Sequence, residues 1–223
     1  MDLSPIWLTL KLAAITTLIL LLIGLPLAWW LSKKRSLAKI VIEAIITMPL
    51  VLPPSVLGFY LLLAFSPQHG LGHWLQQTFD VQFVFSFKGL VLASVIYSMP
   101  FMISPVKSAF QQLPASLSQA SYTLGKTQWQ TFWHVLLPNI KPSLLTATVL
   151  TFAHTLGEFG VVLMIGGNIP GVTRVASIAV YDSVEQRDYS SANNYSLILF
   201  AITFVMVLSV FIYNKYQAKS PLE

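Results

Sequence analysis

The sequence predicts an all-α integral membrane protein, a polytopic bundle of five transmembrane helices that forms a single domain over residues 1–223. Two observations lead to this fold class. Hydrophobic residues make up 55% of the chain and charged residues only 9%, whereas a typical soluble domain has about 25% charged residues. Five apolar stretches also reach or approach the length of about 20 residues that a bilayer requires. So few charges would not cover the surface of a soluble enzyme of this size.

The five predicted spans leave two long connections, 107–141 and 166–194. The first span is kept in the mature protein, because no positive charge precedes it and no small-residue cleavage site follows it. The third span is the shortest and contains Pro100 and Pro105. Apolar residues recur at three- and four-residue steps in both connections, so we expect both to be partly helical. The predicted spans are 6–31, 40–65, 89–106, 144–165 and 195–213.

Basic residues predict the orientation. Nine of the 13 lysines and arginines fall on one side of the predicted spans. The positive-inside rule then places the N-terminus outside and the C-terminus in the cytoplasm. Connection 107–141 becomes a cytoplasmic loop and 166–194 an external loop. The net charge of +5 is interpreted as this topology signal, and no nucleic-acid partner is expected. The nine residues are Lys33, Lys34, Arg35, Lys39, Lys107, Lys126, Lys141, Lys215 and Lys219.

Residue patterns typical of catalysis are missing from the sequence. The chain has no cysteine, which excludes disulfides and thiolate metal sites. His69 and His73 are four residues apart, but Gly70 and Gly72 are expected to interrupt a helix there. We therefore predict no metal site, no catalytic residues and no enzyme activity in this chain.

Gly125, Lys126 and Thr127 read as the end of a phosphate-binding loop. The full pattern needs a glycine five positions before Gly125, where it provides a tight turn that aims backbone N–H groups at phosphate. That position is Ala120. We therefore expect no nucleotide or other cofactor in this chain.

Residues 119–138 predict a docking element in the cytoplasmic loop. The pattern indicates a short helix that ends at Gly125, followed by a second amphipathic helix that stops near Pro138. Trp129 and Phe132 offer aromatic anchors of the kind found at interface centres. On the pattern alone, a helix lying among lipid headgroups is the alternative.

The spacing of this element resembles the cytoplasmic motif of ABC importer permeases, which reads E-A-A, then glycine, then a hydrophobic-x-L-P ending. Gln119 stands for the glutamate and Ser121 for the second alanine, which removes a charge that the family often uses near its ATPase. The resemblance implies that this segment contacts an ATPase. The residues so implicated are Gln119, Ala120, Ser121, Gly125, Leu137 and Pro138.

Two further stretches, Met48–Pro54 and Phe152–Gly160, resemble the molybdate and tungstate branch of these permeases, with sulfate permeases nearest. The resemblance implies the permease subunit of an ATP-driven importer that moves molybdate by alternating access in a bacterial inner membrane. It also implies three kinds of partner: a second copy of the chain, two ABC subunits that bind ATP and Mg, and an external molybdate-binding protein. Tungstate or sulfate is the alternative substrate.

Prolines in the second span and an acid in the fourth mark the predicted path. Proline frees backbone carbonyls that lipid does not satisfy, so this segment is expected to be buried in protein or to line a water-filled path, unless it is only a kink. Glu158 is the acid deepest in a span, and we expect it to face the bundle interior and to be hydrogen-bonded. It either supports the packing or belongs to the gate. The predicted path or gate comprises Pro49, Pro53, Pro54, Gly157, Glu158, Phe159 and Gly160.

The external loop continues the resemblance. Asn168, Pro170, Gly171 and Arg174 are expected to contact the binding protein. Two other kinds of protein are alternatives to a permease subunit. A stand-alone secondary anion carrier is usually built from repeated halves with broken helices, and the sequence has no such repeat. A membrane enzyme needs paired catalytic groups, which the sequence lacks.

Overall fold

The structure is a computed structural model that describes residues 2–34, 36–68 and 70–218. Arg35, His69 and Lys219, which enter the sequence analysis, lie outside the described residues. The described chain is all α-helical, as predicted. Its helices are α1 (Ser4–Ser32), α2 (Leu37–Thr47), α3 (Pro54–Phe65), α4 (Gly70–Phe79), α5 (Phe87–Gln112), α6 (Ala115–Thr123), α7 (Gln128–Thr131), α8 (Leu137–Asn139), α9 (Lys141–Leu156), α10 (Gly160–Gly166), α11 (Ala176–Glu185) and α12 (Tyr189–Ala218).

Three of these helices, α1, α5 and α12, are long and apolar enough to cross a membrane on their own. Two further pairs of helices would bring the count to five if each bent pair formed one span. Five predicted spans therefore agree with the upper count among the described residues. Helix α5 runs through Pro100 and Pro105 and ends at Gln112, beyond the predicted end of the third span.

Helices α1 and α5 form the centre of the bundle and run in the same direction. Leu12 packs in one cluster with Leu90, and Trp29 packs in a second cluster with Phe110. Helix α9 runs in the opposite direction. Ala147, near the start of α9, packs in the cluster that contains Trp29 and Phe110, near the ends of α1 and α5. This arrangement gives the bundle two ends. The lysine-rich end holds the last turns of α1 and α5 and the segment 113–140, and the N-terminal end holds their first turns.

The second predicted span is built as two arms. The first arm is Leu37–Leu50, which finishes in the 3-10 turn Met48–Leu50, and the second arm is Pro54–Phe65. The chain bends by 113° between the two arms. Pro53 adopts φ −55° and ψ 135°, an extended conformation that proline imposes on the residue before it. Pro54 then fills the first position of α3, where its missing N–H costs nothing.

The fourth predicted span is interrupted as well. Its first part is α9 and its second part is α10, and the break between them contains Gly157, Glu158 and Phe159. Another bend, of 77°, lies at the start of this span, between residues Gln128–Asn139 and Lys141–Leu156. Both broken spans therefore place irregular backbone within the length of a predicted span, where it is tolerated only if protein or a cavity covers it.

Helices α3 and α10, the second halves of the two broken spans, pack closely against each other. A Cβ added at Gly58 would lie 2.7 Å from Met164, and one added at Gly160 would lie 2.9 Å from the Pro54 ring. Small residues permit such close approach between membrane helices. The two breaks consequently lie side by side.

Hydrogen bonds fix the start of α11 and the first turns of α12 to the N-terminal end. Thr9 accepts the Ala176 amide at 2.7 Å, and the Tyr195 hydroxyl donates to the Asp2 carbonyl at 2.8 Å. Helix α12 then returns to the lysine-rich end, where Asn214 donates to Thr146 at 3.0 Å. The chain thus alternates between the two ends as five spans require, and which end faces the cytoplasm stays a prediction.

The expectation that glycines prevent a helix around His73 is wrong, because α4 begins at Gly70 and continues through Gly72 and His73. Close approach explains the glycine at position 72. A Cβ there would lie 2.2 Å from the Ser66 carbonyl oxygen. The turn after α3 therefore needs a residue without a side chain at this position.

An ion pair joins the first arm of the second span to α5. The Lys107 ammonium, whose side chain is 11% exposed, contacts the Glu43 carboxylate. The Lys107 charge depends on this pair, because an unpaired charge away from water is costly, whereas the Glu43 side chain is 44% exposed.

We expect Glu43→Gln to destabilise the protein by about 1–3 kcal/mol, because the Lys107 ammonium would lose its carboxylate while remaining mostly buried. Thermal unfolding of the purified chain in detergent measures the effect. The double variant Glu43→Gln, Lys107→Met removes both charges and should be more stable than Glu43→Gln alone. A double variant as unstable as the sum of the two single changes would show that the pair does not interact.

Candidate functional site

A cavity of about 630 Å³ lies where the two broken spans meet. Five of the seven predicted path residues line it: Pro54, Gly157, Glu158, Phe159 and Gly160. Pro49 and Pro53 do not line it; Pro49 is buried and Pro53 is exposed. In the single chain the cavity opens outward at Pro54, Ser55 and Gly157, which are all exposed.

The Glu158 carboxylate lies at the inner wall of this cavity, with 1% of its side chain exposed. Two hydroxyl groups of α5 hold it. Ser94 donates to Oε2, and Ser98 donates to Oε1 at 3.0 Å. The expectation that Glu158 faces the bundle interior and is hydrogen-bonded is therefore confirmed. A buried carboxylate needs such donors, because burial without them costs several kcal/mol.

Backbone groups at the break are satisfied in the same way. The break leaves the Glu158 carbonyl without a helical donor, and the Ser177 hydroxyl of α11 donates to it. The interruption of the fourth span is therefore tied to α5 through the side chain of Glu158 and to α11 through its carbonyl.

His154 extends the polar cluster toward the cavity. Its Nδ1 lies 3.0 Å from Ser98 Oγ and 3.8 Å from Glu158 Oε1. Ser98 Oγ thus lies between the Glu158 carboxylate and the His154 ring. The ring stacks on Phe101, with 3.9 Å between ring centroids. His154 is thus a packed polar residue of this cluster.

A second candidate surface is the turn at the lysine-rich end, which we call the elbow and define as residues 115–131. Gly125 has φ +75° and ends α6. The Lys126 amide donates to the Ser121 carbonyl at 3.1 Å and the Gly125 amide to that of Tyr122 at 2.9 Å. This is a Schellman motif, in which glycine supplies the left-handed residue.

Reciprocal hydrogen bonds begin the helix that follows. Thr127 Oγ1 accepts the Gln130 amide at 3.3 Å, and Gln130 Oε1 accepts the Thr127 amide at 2.9 Å. This capping box starts α7. The sequence G-K-T therefore forms a helix–turn–helix corner and not a phosphate-binding loop.

The elbow presents the predicted ATPase-coupling residues unequally. Gln119, Ala120 and Gly125 are exposed, whereas Ser121 is buried and its hydroxyl lies 2.9 Å from that of Thr131. Ser121 thus holds the elbow together instead of forming its outer surface. Beyond the elbow, Leu137 packs against the core and Pro138 is exposed.

Four residues predicted to contact a binding protein lie in the loop that follows α10. Asn168, Pro170 and Gly171 are exposed, and Arg174 is partly exposed. Arg174 Nε donates to Asn168 Oδ1 at 2.6 Å, and Arg174 also pairs with Asp182 of α11 at 3.4 Å. The loop is therefore a fixed, exposed surface.

Several residues of the site were not identified in the sequence. Ser94 and Ser98 lie four positions apart on one face of α5, but this spacing alone does not distinguish them from other serines in the spans. Ser55 and Tyr97 line the cavity but no sequence pattern distinguishes them. Asp182 acquires its role only through the fold of the loop.

Comparisons with known proteins agree with this architecture. The family model described as binding-protein-dependent transport system inner membrane component matches residues 11–221. The molybdenum transport system permease protein ModB of Azotobacter vinelandii is 42% identical over 97% of this chain and 96% of its own length. The sulfate transport system permease protein CysT of Escherichia coli is 32% identical over 84% of this chain and 67% of its own length.

A solved structure shows the same fold. The bacterial alginate ABC transporter, crystallised with an alginate pentasaccharide-bound periplasmic protein, superposes with a TM-score of 0.78 at 18% identity over 99% of this chain and 80% of that chain. The match to the family model covers nearly the whole sequence. The chain therefore belongs to the family of inner membrane components of binding-protein-dependent transport systems.

Proposed function

We propose that this chain provides the transmembrane path for molybdate in an ATP-driven importer of a bacterial inner membrane. The observation that carries the proposal is the 42% identity, over nearly the full length of both chains, with a permease named for molybdenum transport. A named sulfate permease is less similar, at 32% identity, and sulfate is therefore the second candidate. Tungstate, a tetrahedral oxyanion of the same charge, falls within the proposal.

The cavity between the broken spans supports a path for an oxyanion. A bare carboxylate in such a path would repel a dianion, but Ser94 and Ser98 engage both carboxylate oxygens of Glu158. Glu158 acts in this proposal as a support that fixes the break. Pro49, Pro53, Pro54 and the segment 157–160 form the path or gate.

Two copies of the chain complete the path. A single chain leaves Pro54, Ser55 and Gly157 exposed at a place where lipid would not satisfy irregular backbone. A second copy facing this cavity would cover it. The path would then run between two chains and open alternately to either side.

The energy for this change comes from a separate ATPase, which binds ATP and Mg. The elbow is its proposed docking element, because Gln119, Ala120 and Gly125 are exposed and the capping bonds keep their geometry fixed. The lysine-rich end would then be cytoplasmic. The loop with Asn168, Pro170, Gly171 and Arg174 lies at the other end, where an external molybdate-binding protein would contact it.

ATPase stimulation tests the substrate. We expect the chain, reconstituted with its ATPase in liposomes, to show faster ATP hydrolysis with molybdate-loaded binding protein than with the empty protein, and no gain with sulfate. Stimulation by sulfate alone would assign the path to the second candidate. ATPase-independent uptake by the purified chain would instead indicate a secondary carrier.

The same assay checks the external contact. Arg174→Ala removes the charge that Asn168 and Asp182 hold in place, so more loaded binding protein should be needed for half-maximal stimulation. Arg187→Ala is a matched control, because Arg187 is an exposed arginine of the same connection. An equal effect of both changes would argue against a specific contact at Arg174.

We expect Gly125→Asp to abolish transport while membrane insertion stays intact. Aspartate, like asparagine, tolerates the left-handed conformation of residue 125, so the main effect of the change is a negative charge in a loop that has none. Gly125→Asn is the control, because asparagine tolerates this conformation and is uncharged. Unaltered co-purification of the ATPase with the Gly125→Asp chain would exclude docking at the elbow.

Glu158→Gln should leave uptake close to that of the wild type, because glutamine has the same size and, with one serine hydroxyl reoriented, its oxygen can accept from one serine while its amide donates to the other. Glu158→Ala should lower stability by about 1–3 kcal/mol, since two buried hydroxyls lose their acceptor. Thermal unfolding and uptake are measured together. Loss of uptake in Glu158→Gln at unchanged stability would show that the charge itself is needed by the gate.

A further inference from the structure

We propose that a cavity at the lysine-rich end binds the phosphate headgroup of an anionic phospholipid. The cavity has a volume of about 360 Å³ and lies between the end of α1 and helix α6. Trp29 and Phe110 form part of its apolar wall, and its polar wall is formed by Ser32, Lys33, Lys34, Ser118, Tyr122 and Gln128. We call it the headgroup cavity, and it is separate from the proposed molybdate path.

The polar wall is rich in donors that have no acceptor. Among the described residues, none accepts a hydrogen bond from the side chains of Lys34, Ser118 or Tyr122. Lys33 lies 3.8 Å above the Trp29 ring, and its Nζ is 3.5 Å from Gln128 Oε1. An ammonium group and two hydroxyls thus remain free to hold an anion, and a phosphate has several oxygens to accept from them.

The surrounding sequence supplies no negative charge to balance the two lysines. Neither residues 28–42 nor residues 107–141 contain Asp or Glu. Glu43, the next acid along the chain, already pairs with Lys107. Partial burial, and to a smaller extent Lys39, lower the pKa of Lys33. Among the residues that the structure describes, no carboxylate pairs with Lys33 or Lys34.

The depth of the cavity favours a lipid as the source of the anion. Trp29 and Trp30 lie near the end of the apolar run of α1. The Lys39 ammonium lies 4.7 Å from the centre of the Trp30 ring and donates a hydrogen bond to the backbone carbonyl of Trp30. Trp129 and Trp133 are exposed at the same end. Tryptophans with neighbouring lysines mark the headgroup level of a membrane, and basic pockets between spans at this level bind anionic headgroups.

The apolar wall completes the match to a phospholipid. Trp29 and Phe110 continue into the core cluster of the bundle, so the cavity joins a charged rim to an apolar floor. A lipid with an anionic phosphate and an acyl chain has both chemistries. Once bound, it would link the end of α1 to α6 and hold the elbow in one position.

Native mass spectrometry of the full chain in detergent, titrated with phosphatidylglycerol, tests the proposal. We expect phosphatidylglycerol to bind more tightly than phosphatidylcholine. Lys34→Gln should weaken its binding roughly fivefold, the ratio expected for one lysine near an anionic headgroup. Ser118→Ala with Tyr122→Phe should weaken it too while every charge is retained. Lys126→Gln, an exposed lysine of the elbow outside the cavity, should have no effect.

Three results would overturn the assignment. Equal weakening by Lys34→Gln and Lys126→Gln would indicate attraction to the surface charge in general. Displacement of the lipid by inorganic phosphate alone would identify free phosphate as the ligand. Displacement by the added ATPase would make the cavity part of the docking surface. None of these results depends on which oxyanion the protein transports.

Discussion

A carboxylate enclosed among apolar helices is stable only with donors around it, and the arrangement of the bundle follows from how Glu158 finds them. Ser94 and Ser98 of α5 engage its two oxygens, and Ser177 of α11 engages its carbonyl. Through one residue, the break in the fourth span is fixed to the central helix and to α11. Without these bonds, neither the charge nor the interrupted backbone would be tolerated at this depth.

Helix α5 also connects this break to the elbow. It is continuous from Phe87 to Gln112, packs along α1 throughout, and leads directly into α6. The Trp29, Phe110 and Phe132 rings pack together at its far end. A displacement of the elbow would therefore reach the Ser94 and Ser98 hydroxyls through a packed helix, rather than through a flexible loop.

The sequence alone predicts the helical membrane fold, the elbow and the burial of Glu158, because each depends on a local rule. Apolar length predicts spans, glycine predicts the helix end at Gly125, and a lone acid in a span must face inward. The partners of Glu158 were not predictable in this way, since serine occurs at many positions in membrane helices and only the packing of α5 on α9 selects two of them.

Other differences also have a tertiary origin. A hydropathy profile is averaged over a window of residues. It therefore assigns to one span two arms that are separated by a bend of 113°. Gly72 was expected to interrupt a helix, but its lack of a side chain serves the close approach of the Ser66 carbonyl. The cavity residues Ser55 and Tyr97 belong to different spans, and no pattern within either span connects them.

The pairing of the two half-length helices has a consequence for biogenesis. Helix α10, with seven residues, rises about 10 Å, and α3, with 12 residues, about 18 Å, whereas the hydrocarbon core is about 30 Å thick. Neither can leave the translocon and remain in lipid as an independent unit. Each depends on the other for cover, so a bulky side chain at Gly58 or Gly160 would harm insertion of the nascent chain before it harmed transport.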